Sequence, residues 1–247
     1  MIFAFLGISL FFIALGYLIT ENNARFLLAG YNTMRPEERA KIDLKSYLAR
    51  FKKFHLWLGL SYFAGGVLLL YLAGDLAAGL FLVLYPLVAY LYFALAGHRH
   101  SGAPMSRLNR LAVYVLLGAL AFVSVTLALG LRSDPLKVES GRLEFTGSNA
   151  ETLLAADIHS VELTDSLPEF SMRVNGFALG PVRKGLFRTT GGSLVKLVLN
   201  TDAKPYLLVT KSDGGRIFYS AKKPSNAEVF ENMKQALPGV EFKVPAE

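Results

Sequence analysis

Cysteine is missing from this 247-residue chain. The protein therefore forms no disulfide and no thiolate metal site, although this absence does not identify its compartment. Histidine is scarce as well, and His159 is the only one after residue 131. Its neighbour Ser160 would point to the opposite face of a strand, so the two do not form a nucleophile and base pair.

Sequence signatures of catalysis are also missing. The chain contains no Gly-x-Ser-x-Gly elbow, no Walker-type phosphate loop and no dinucleotide-binding fingerprint. His98 and His100 have a spacing compatible with metal binding, but their loop has no acidic residue to complete a ligand set. We therefore expect no enzymatic activity, no cofactor and no metal site.

Charged side chains are missing from four long stretches, residues 1–20, 54–74, 76–97 and 111–131. Each is long enough to cross a hydrocarbon core about 30 Å thick, because a helix rises about 1.5 Å per residue. Buried helices of soluble proteins are usually shorter and carry a polar face. No basic residue precedes the first stretch and no small-residue cleavage site follows it, so we expect a span rather than a signal peptide. The prediction is a domain of four transmembrane helices over residues 1–131.

The net charge of +7 belongs almost entirely to this first part of the chain. Residues 1–131 hold 11 Lys and Arg against 5 Asp and Glu, whereas residues 132–247 hold 15 against 14. A nearly neutral second part argues against nucleic acid as its partner.

Basic residues between the uncharged stretches predict the orientation in the membrane. Residues 21–53 hold eight Lys and Arg, and the loop after residue 97 holds three more. Only Asp75 lies between the second and third stretches. By the positive-inside rule both basic loops are cytoplasmic, which puts the N-terminus, the Asp75 turn and residues 132–247 outside the cytoplasm. No stretch has a charged residue at its centre, so an anchor is favoured over a transport pathway.

The first basic loop, residues 21–53, predicts an amphipathic helix on the membrane surface. Pro36 followed by two glutamates is typical of a first helical turn, and apolar residues recur at helical spacing from Leu44 to Phe54. The side chains expected to contact the membrane surface are Arg39, Lys41, Lys45, Arg50, Lys52 and Lys53. This helix is either a lipid or partner sensor or simply a topological anchor.

The same loop carries a family resemblance. Residues 27–34 read Leu-Leu-Ala-Gly-Tyr-Asn-Thr-Met, followed by Glu37-Glu38 and Lys41-Ile42-Asp43. This segment resembles the AGYNTM loop of a family of small bacterial membrane proteins of unknown function, and the resemblance covers about residues 1–97. It implies a bacterial protein in the inner membrane and transfers no activity.

Short β-rich runs separated by turn residues follow residue 132. The predicted strands cover residues 141–145, 159–164, 171–174, 185–188, 194–199, 206–210 and 217–219. Gly191-Gly192 and Asp213-Gly214-Gly215 predict hairpin turns, because glycine adopts positive φ angles freely. Ser225 and Glu228 form a capping-box pattern at the start of an amphipathic C-terminal helix.

These elements predict a soluble β-rich α+β domain over residues 132–247, built as a pleckstrin-homology-like barrel that the C-terminal helix closes. The segments 157–158, 161–163, 173–176, 184–187 and 205–210 resemble the bacterial pleckstrin-homology-type domain found behind membrane spans. Such a fold does not by itself imply lipid binding. Arg183, Lys184 and Arg188 form a small basic group, which is either a binding patch of the tail or a solvated face.

Two non-enzymatic functions follow from this architecture. The first is a membrane-tethered binding or scaffold module whose outer domain recognises a protein partner or envelope component, with membrane lipids or a second copy as further partners. The alternative is a membrane sensor or transport accessory subunit that uses the helical bundle and the basic loop. The first predicts a defined apolar or charged groove on the tail, and the second predicts a polar cavity among the spans.

Overall fold

Apolar helices form the first half of the chain and β-strands form the second. The computed structural model describes residues 1–28, 31, 36–39, 43–99 and 107–244. They divide into two units, Met1–Thr126 and Leu127–Glu247. We call them the helical unit and the β unit.

The helical unit contains helices of very different length. They are α1 (Ile2–Leu18), α2 (Ala24–Leu27), α3 (Pro36–Arg39), α4 (Leu44–Arg99) and most of α5 (Arg107–Leu131). Two described stretches, Leu44–Ala96 and Asn109–Leu131, are long and apolar enough to cross a bilayer, while α1 is apolar but has only 17 residues. The structure therefore supports membrane association of this half, with two spans recognised by length where the sequence predicts four.

Helix α4 is broken in the middle by Gly74. This glycine has a φ of +80° and a ψ of −178°, which lies outside the helical region and suits a residue without a side chain. The arms on either side, residues 44–73 and 75–99, pack against each other. Tyr62 Oη donates to the carbonyl of Leu82 at 3.1 Å. A contact between residues on either side of Gly74, such as Tyr62 and Leu82, is what an antiparallel helical hairpin requires.

Aromatic side chains fill the interior of the helical unit. Phe5 and Phe12 of α1 pack against Tyr62, with ring centroids 5.4 and 5.5 Å away. Gly66 makes room for this contact, because a Cβ at that position would collide with the ring of Phe5. The small residue therefore serves helix packing, as expected where apolar helices meet.

The β unit contains eleven strands and a C-terminal helix, α6 (Asn226–Ala236). The strands are β1 (Leu136–Glu139), β2 (Arg142–Phe145), β3 (Glu151–Leu154), β4 (Ile158–Thr164), β5 (Phe170–Arg173), β6 (Phe177–Leu179), β7 (Val182–Thr189), β8 (Leu194–Asn200), β9 (Tyr206–Lys211), β10 (Arg216–Tyr219) and β11 (Glu241–Lys243). The first three strands form one antiparallel sheet in the order β1-β2-β3. The others form a second sheet in the order β11-β4-β9-β10-β8-β7-β5, and β6 pairs with β7.

All seven predicted strands are present, but the predicted barrel is not. The larger sheet is an open path with β11 and β5 at its ends. Strands β8 and β10 are parallel, as are β4 and β11, so chain neighbours are not always sheet neighbours. The four strands that the sequence pattern missed are β1, β3, β6 and β11, each only three or four residues long.

The C-terminal helix forms as predicted. Ser225 caps it by accepting a hydrogen bond from the Glu228 backbone N–H at 3.2 Å. Its apolar face, Val229, Phe230 and Met233, is buried in the main core of the β unit. The two predicted glycine turns also form, since Gly192 and Gly214 both have a φ of +85°.

Candidate functional site

The basic loop keeps its amphipathic character in the described residues. Lys41 and most of the AGYNTM segment lie outside them. Leu48 is buried on one side of α4, while the predicted surface residues of its first turns are exposed. Those exposed residues are Lys45, Arg50, Lys52 and Lys53. Lys52 places its ammonium 4.0 Å from the centroid of the Tyr17 ring, and Arg39 lies 5.8 Å from the centroid of Tyr31.

His55 is enclosed in the helical unit, where the sequence pattern indicated only a residue at the end of a span. Its Nδ1 lies 2.8 Å from the carbonyl of Phe51, and its Nε2 lies 3.0 Å from Tyr90 Oη. Because a carbonyl only accepts, Nδ1 carries the hydrogen and the Tyr90 hydroxyl donates to Nε2. Both ring nitrogens are therefore engaged, which makes His55 a packing residue of the hairpin and not an open ligand.

Lys184 does not belong to an exposed basic patch with its neighbours on β7. Its Nζ lies 2.9 Å from Asp134 Oδ2, and both side chains are only 6 % exposed. The same ammonium donates to the carbonyl of Arg132. Lys184 therefore ties the segment that follows α5 to the larger sheet, a role that its sequence neighbours do not indicate.

Arg183 and Arg188 have separate surroundings. The guanidinium of Arg183 lies 5.8 Å from the centroid of the Phe170 ring. Arg188 is exposed and donates through Nη1 to the carbonyl of Gly192 at 3.0 Å. The predicted group of three thus reduces to one solvent-facing arginine, Arg188, on the outer side of β7.

A second cluster of charges joins the two sheets. Glu151 of β3 lies 2.7 Å from Lys196 Nζ and 3.2 Å from Lys211 Nζ. Partial burial on its own raises the pKa of Glu151, but hydrogen bonds and charge from Lys196 and then Lys211 outweigh it, so the pKa falls below its usual range. The hydrogen bond to Glu151 in turn raises the pKa of Lys211. The Glu151 carboxylate bridges the two ammonium groups, and Asp213 Oδ2 lies 3.5 Å from Lys211 Nζ, so the cluster is a cross-sheet brace.

An open groove lies between β1 and α6 in the β unit. Its volume is about 430 Å³, within the range of roughly 300–1,000 Å³ typical of ligand clefts. One wall is formed by Val138 and Ser140 at the end of β1, and the other by Asn232 and Gln235 of α6. None of its lining residues is titratable, so the wall offers amide, hydroxyl and backbone groups.

Main-chain groups of β1 face this groove. The backbone N–H of Leu136 donates outward to Tyr219 Oη at 3.1 Å, away from β2. Because outward and inward residues alternate along an antiparallel strand, the N–H and C=O of Val138 also point away from β2. The two-residue turn between Glu139 and Arg142 makes these two residues a hydrogen-bonded pair of the hairpin. The next position, Val138, is then a non-hydrogen-bonded one, which agrees with the orientation of its N–H and C=O. Val138 therefore directs one donor and one acceptor away from β2 at a position that lines the groove.

The opposite edge of the small sheet provides a useful comparison. The backbone N–H of Leu154 in β3 donates to Asp157 Oδ2 at 3.1 Å, so it points away from β2. By the same alternation Thr152 also points its N–H outward, but it does not line the groove. Val138 and Thr152 therefore occupy equivalent edge positions, but only Val138 lies beside the groove.

Similarity to known proteins is limited to the first half of the chain. Residues 6–101 match the family described as Domain of unknown function (DUF3784). No curated protein and no solved structure matches the chain. The match falls on the region that resembles an uncharacterised membrane-protein family, and the β unit has no match that supports a pleckstrin-homology-type domain. Over residues 6–101 the protein is therefore similar to a membrane-type domain to which no function is assigned.

Proposed function

We propose that this protein is a membrane-anchored binding module whose β unit holds an extended polypeptide segment of a partner outside the cytoplasm. The proposal is carried by the outer edge of β1, where the register directs the N–H and C=O of Val138 away from β2 at a position that lines the groove. An incoming segment pairs with such an edge as an added strand.

The groove also supplies specificity for such a segment. Asn232 and Gln235 stand opposite β1, and their side chains both donate and accept hydrogen bonds. Lys137 and Glu139 lie on either side of Val138 and are exposed. Lys137 is paired with Glu144 at 3.0 Å and Glu139 is paired with Arg142, both within the β1–β2 hairpin. The choice of ligand therefore rests on the amides of α6 and the main-chain groups of β1, and not on these charges.

The outer location rests on the loops and on the broken helix. Gly74 divides α4 into two arms, so α4 counts as two crossings joined at Asp75. Together with α1 and α5, these two arms are the segments that we propose as the four crossings. The basic residues of the first loop favour its cytoplasmic side, which leaves the β unit on the outer side.

A non-enzymatic role agrees with the chemistry of the groove, whose lining contains no group able to take up or release a proton at neutral pH. The alternative role as a sensor or transport accessory is supported less well. His55, a buried ionisable side chain among the described residues of the helical unit, has both ring nitrogens engaged.

A photo-crosslinking residue in the groove tests the proposal. A benzophenone amino acid at Gln235 in cells should give an adduct with a partner polypeptide, whereas the same amino acid at Lys234, outside the groove lining, should not. Val138→Pro removes the outward N–H without breaking the β1–β2 ladder. Losing one hydrogen bond, about 1–1.5 kcal/mol, should reduce the adduct roughly ten-fold.

Two control variants separate this effect from general damage. Val138→Ala keeps the N–H and should keep the adduct, and Thr152→Pro removes the equivalent donor on the other edge and should also keep it. An adduct that survives Val138→Pro would overturn strand addition. An adduct with a second copy of the chain would replace the partner with self-association.

A further inference from the structure

A row of exposed apolar side chains crosses one face of the larger sheet. Met172, Arg188 and Leu194 lie side by side on β5, β7 and β8, since Met172 is opposite Arg188 and Arg188 is opposite Leu194. Leu186 is in the next row of β7, and the N–H of Val174 donates to its carbonyl. The apolar members are 37–55 % exposed. We call these five residues the outer β7 face.

This face begins where the membrane helix ends. The ring of Phe177 lies against Gly130 in the last turn of α5, because a Cβ on Gly130 would collide with it. Phe177 is paired with Lys184 across β6 and β7, and Lys184 binds the carbonyl of Arg132. All these residues belong to the β unit, so β7 starts beside the end of the apolar stretch.

The distance along β7 from Lys184 brings Leu186 close to the level of the lipid headgroups. A strand rises about 3.3 Å per residue, so Leu186 lies at most about 7 Å beyond Lys184 in any direction. Each headgroup layer is about 5–7 Å thick, the difference between the hydrocarbon core and the whole bilayer. Leu186 is therefore within reach of the headgroup layer, because Phe177, the register partner of Lys184, contacts the last turn of α5.

The chemistry of the face fits the same surface. Apolar side chains interleaved with arginine are typical of protein surfaces that lie in the bilayer interface, where the guanidinium reaches phosphate and the apolar groups leave water. Arg188 has one N–H engaged with Gly192, which leaves most of its five donors for an anionic group.

We propose that the outer β7 face of the β unit rests on the lipid headgroups of the leaflet at which α5 ends. The occupant is the bilayer surface itself. This contact is independent of the groove, which lies between β1 and α6. It orients the β unit on the membrane that anchors it.

Depth-dependent quenching in nanodiscs tests the contact on the full chain. The natural chain has no cysteine, so Val174→Cys and Leu186→Cys each carry a single environment-sensitive fluorophore. The control is Leu154→Cys, which is 56 % exposed and pairs with Arg142 at the far end of the small sheet. With lipids that carry nitroxide headgroups, positions 174 and 186 should be quenched at least two-fold more than position 154.

A second pair of variants distinguishes lipid contact from mere tethering. Met172→Asp together with Leu186→Asp adds negative charge to the face and should lower quenching at a label on residue 174 at least two-fold. Leu154→Asp should leave that quenching unchanged.

Equal quenching at 154 and 174, or no response to the aspartates, would overturn the proposal. Protection of position 174 that appears only when several copies share one nanodisc would assign the face to a second copy. The crosslink from Gln235 reports on the groove alone. Each of the two proposals can therefore fail while the other stands.

Discussion

At the scale of residues, the β unit contains a buried ion pair whose two members depend on each other. Asp134 and Lys184 are an ion pair removed from water, and the ammonium also serves the carbonyl of Arg132. A buried pair adds little over an apolar pair of the same size, but breaking it is costly because one charge then remains buried alone. Lys184 is therefore needed for the stability of the β unit only while Asp134 is present.

Replacing Lys184 by methionine should destabilise the protein by about 3–5 kcal/mol, because the Asp134 carboxylate loses its counter-charge. Thermal unfolding of the full chain in detergent measures the loss. Arg183→Met on the same strand is the matched control and should cost less than about 1 kcal/mol. The double variant Asp134→Leu with Lys184→Met should recover most of the loss. A double variant as unstable as the single one would show that the ion pair is not the cause.

Glu151 should make the stability of the β unit sensitive to acid. Its pKa in the folded state is lowered by Lys196 and Lys211, so it contributes stability above the unfolded pKa of about 4.3 and loses it as the pH falls through the folded value. Glu151→Gln should therefore be about 1 kcal/mol less stable at pH 7, and the difference should shrink as the pH falls through the lowered folded-state pKa of Glu151. Unfolding curves between pH 7 and 3 measure this. Glu144→Gln, which removes the exposed partner of Lys137, is the control and should follow the unsubstituted chain. A constant difference at every pH would contradict the assignment.

At the scale of elements, the strand pattern of the tail was predictable and its pairing was not. Alternating apolar residues and glycine turns locate seven strands, because period and turn chemistry are local properties. Strands β1, β3, β6 and β11 have three or four residues, which is too short for a period to emerge. The parallel pairs arise from contacts distant in sequence, which no local pattern reports.

The candidate site was harder to predict for the same reason. The groove depends on which edge of β1 stays unpaired, and that follows from hydrogen bonds to Tyr219, 83 residues away. Lys184 resembles any surface lysine until the fold brings Asp134 beside it. The basic residues of α4 are exposed, as helical spacing alone predicts, and their contact with the membrane surface stays a prediction.

The packing of α1 on α4 depends on a small residue at position 66. Gly66→Ala should destabilise the helical unit by about 1–3 kcal/mol, because the added methyl group collides with Phe5. Gly118→Ala in α5 is the matched control, since nothing lies within 4 Å of its added Cβ. It should be neutral or gain up to about 1 kcal/mol from helix propensity. Thermal unfolding in detergent measures both variants, and equal effects would exclude close packing at Gly66.

The whole molecule is defined by which parts lie on which side of the membrane. In the proposed topology, the positive-inside rule and the hairpin of α4 put Lys45 inside and Asp75 outside, and a crossing by α5 then puts the β unit outside. The location of the β unit does not depend on α1, which lies before these crossings. What α1 decides is whether the chain crosses three or four times.

Helix α1 is at the lower limit for a span. Its 17 residues rise about 26 Å, close to the hydrocarbon thickness of about 30 Å, and apolar residues continue to Ile19.

Single cysteines at Ile2, Lys45, Asp75 and Thr152 settle the arrangement, because the natural chain has none and gives no background. A membrane-impermeant maleimide should label positions 2, 75 and 152 in intact cells, and position 45 only after permeabilisation. Labelling at position 2 only after permeabilisation would reduce the crossings to three and keep the β unit outside. Protection of position 152 in intact cells would instead move the β unit into the cytoplasm and remove the basis for an outer partner.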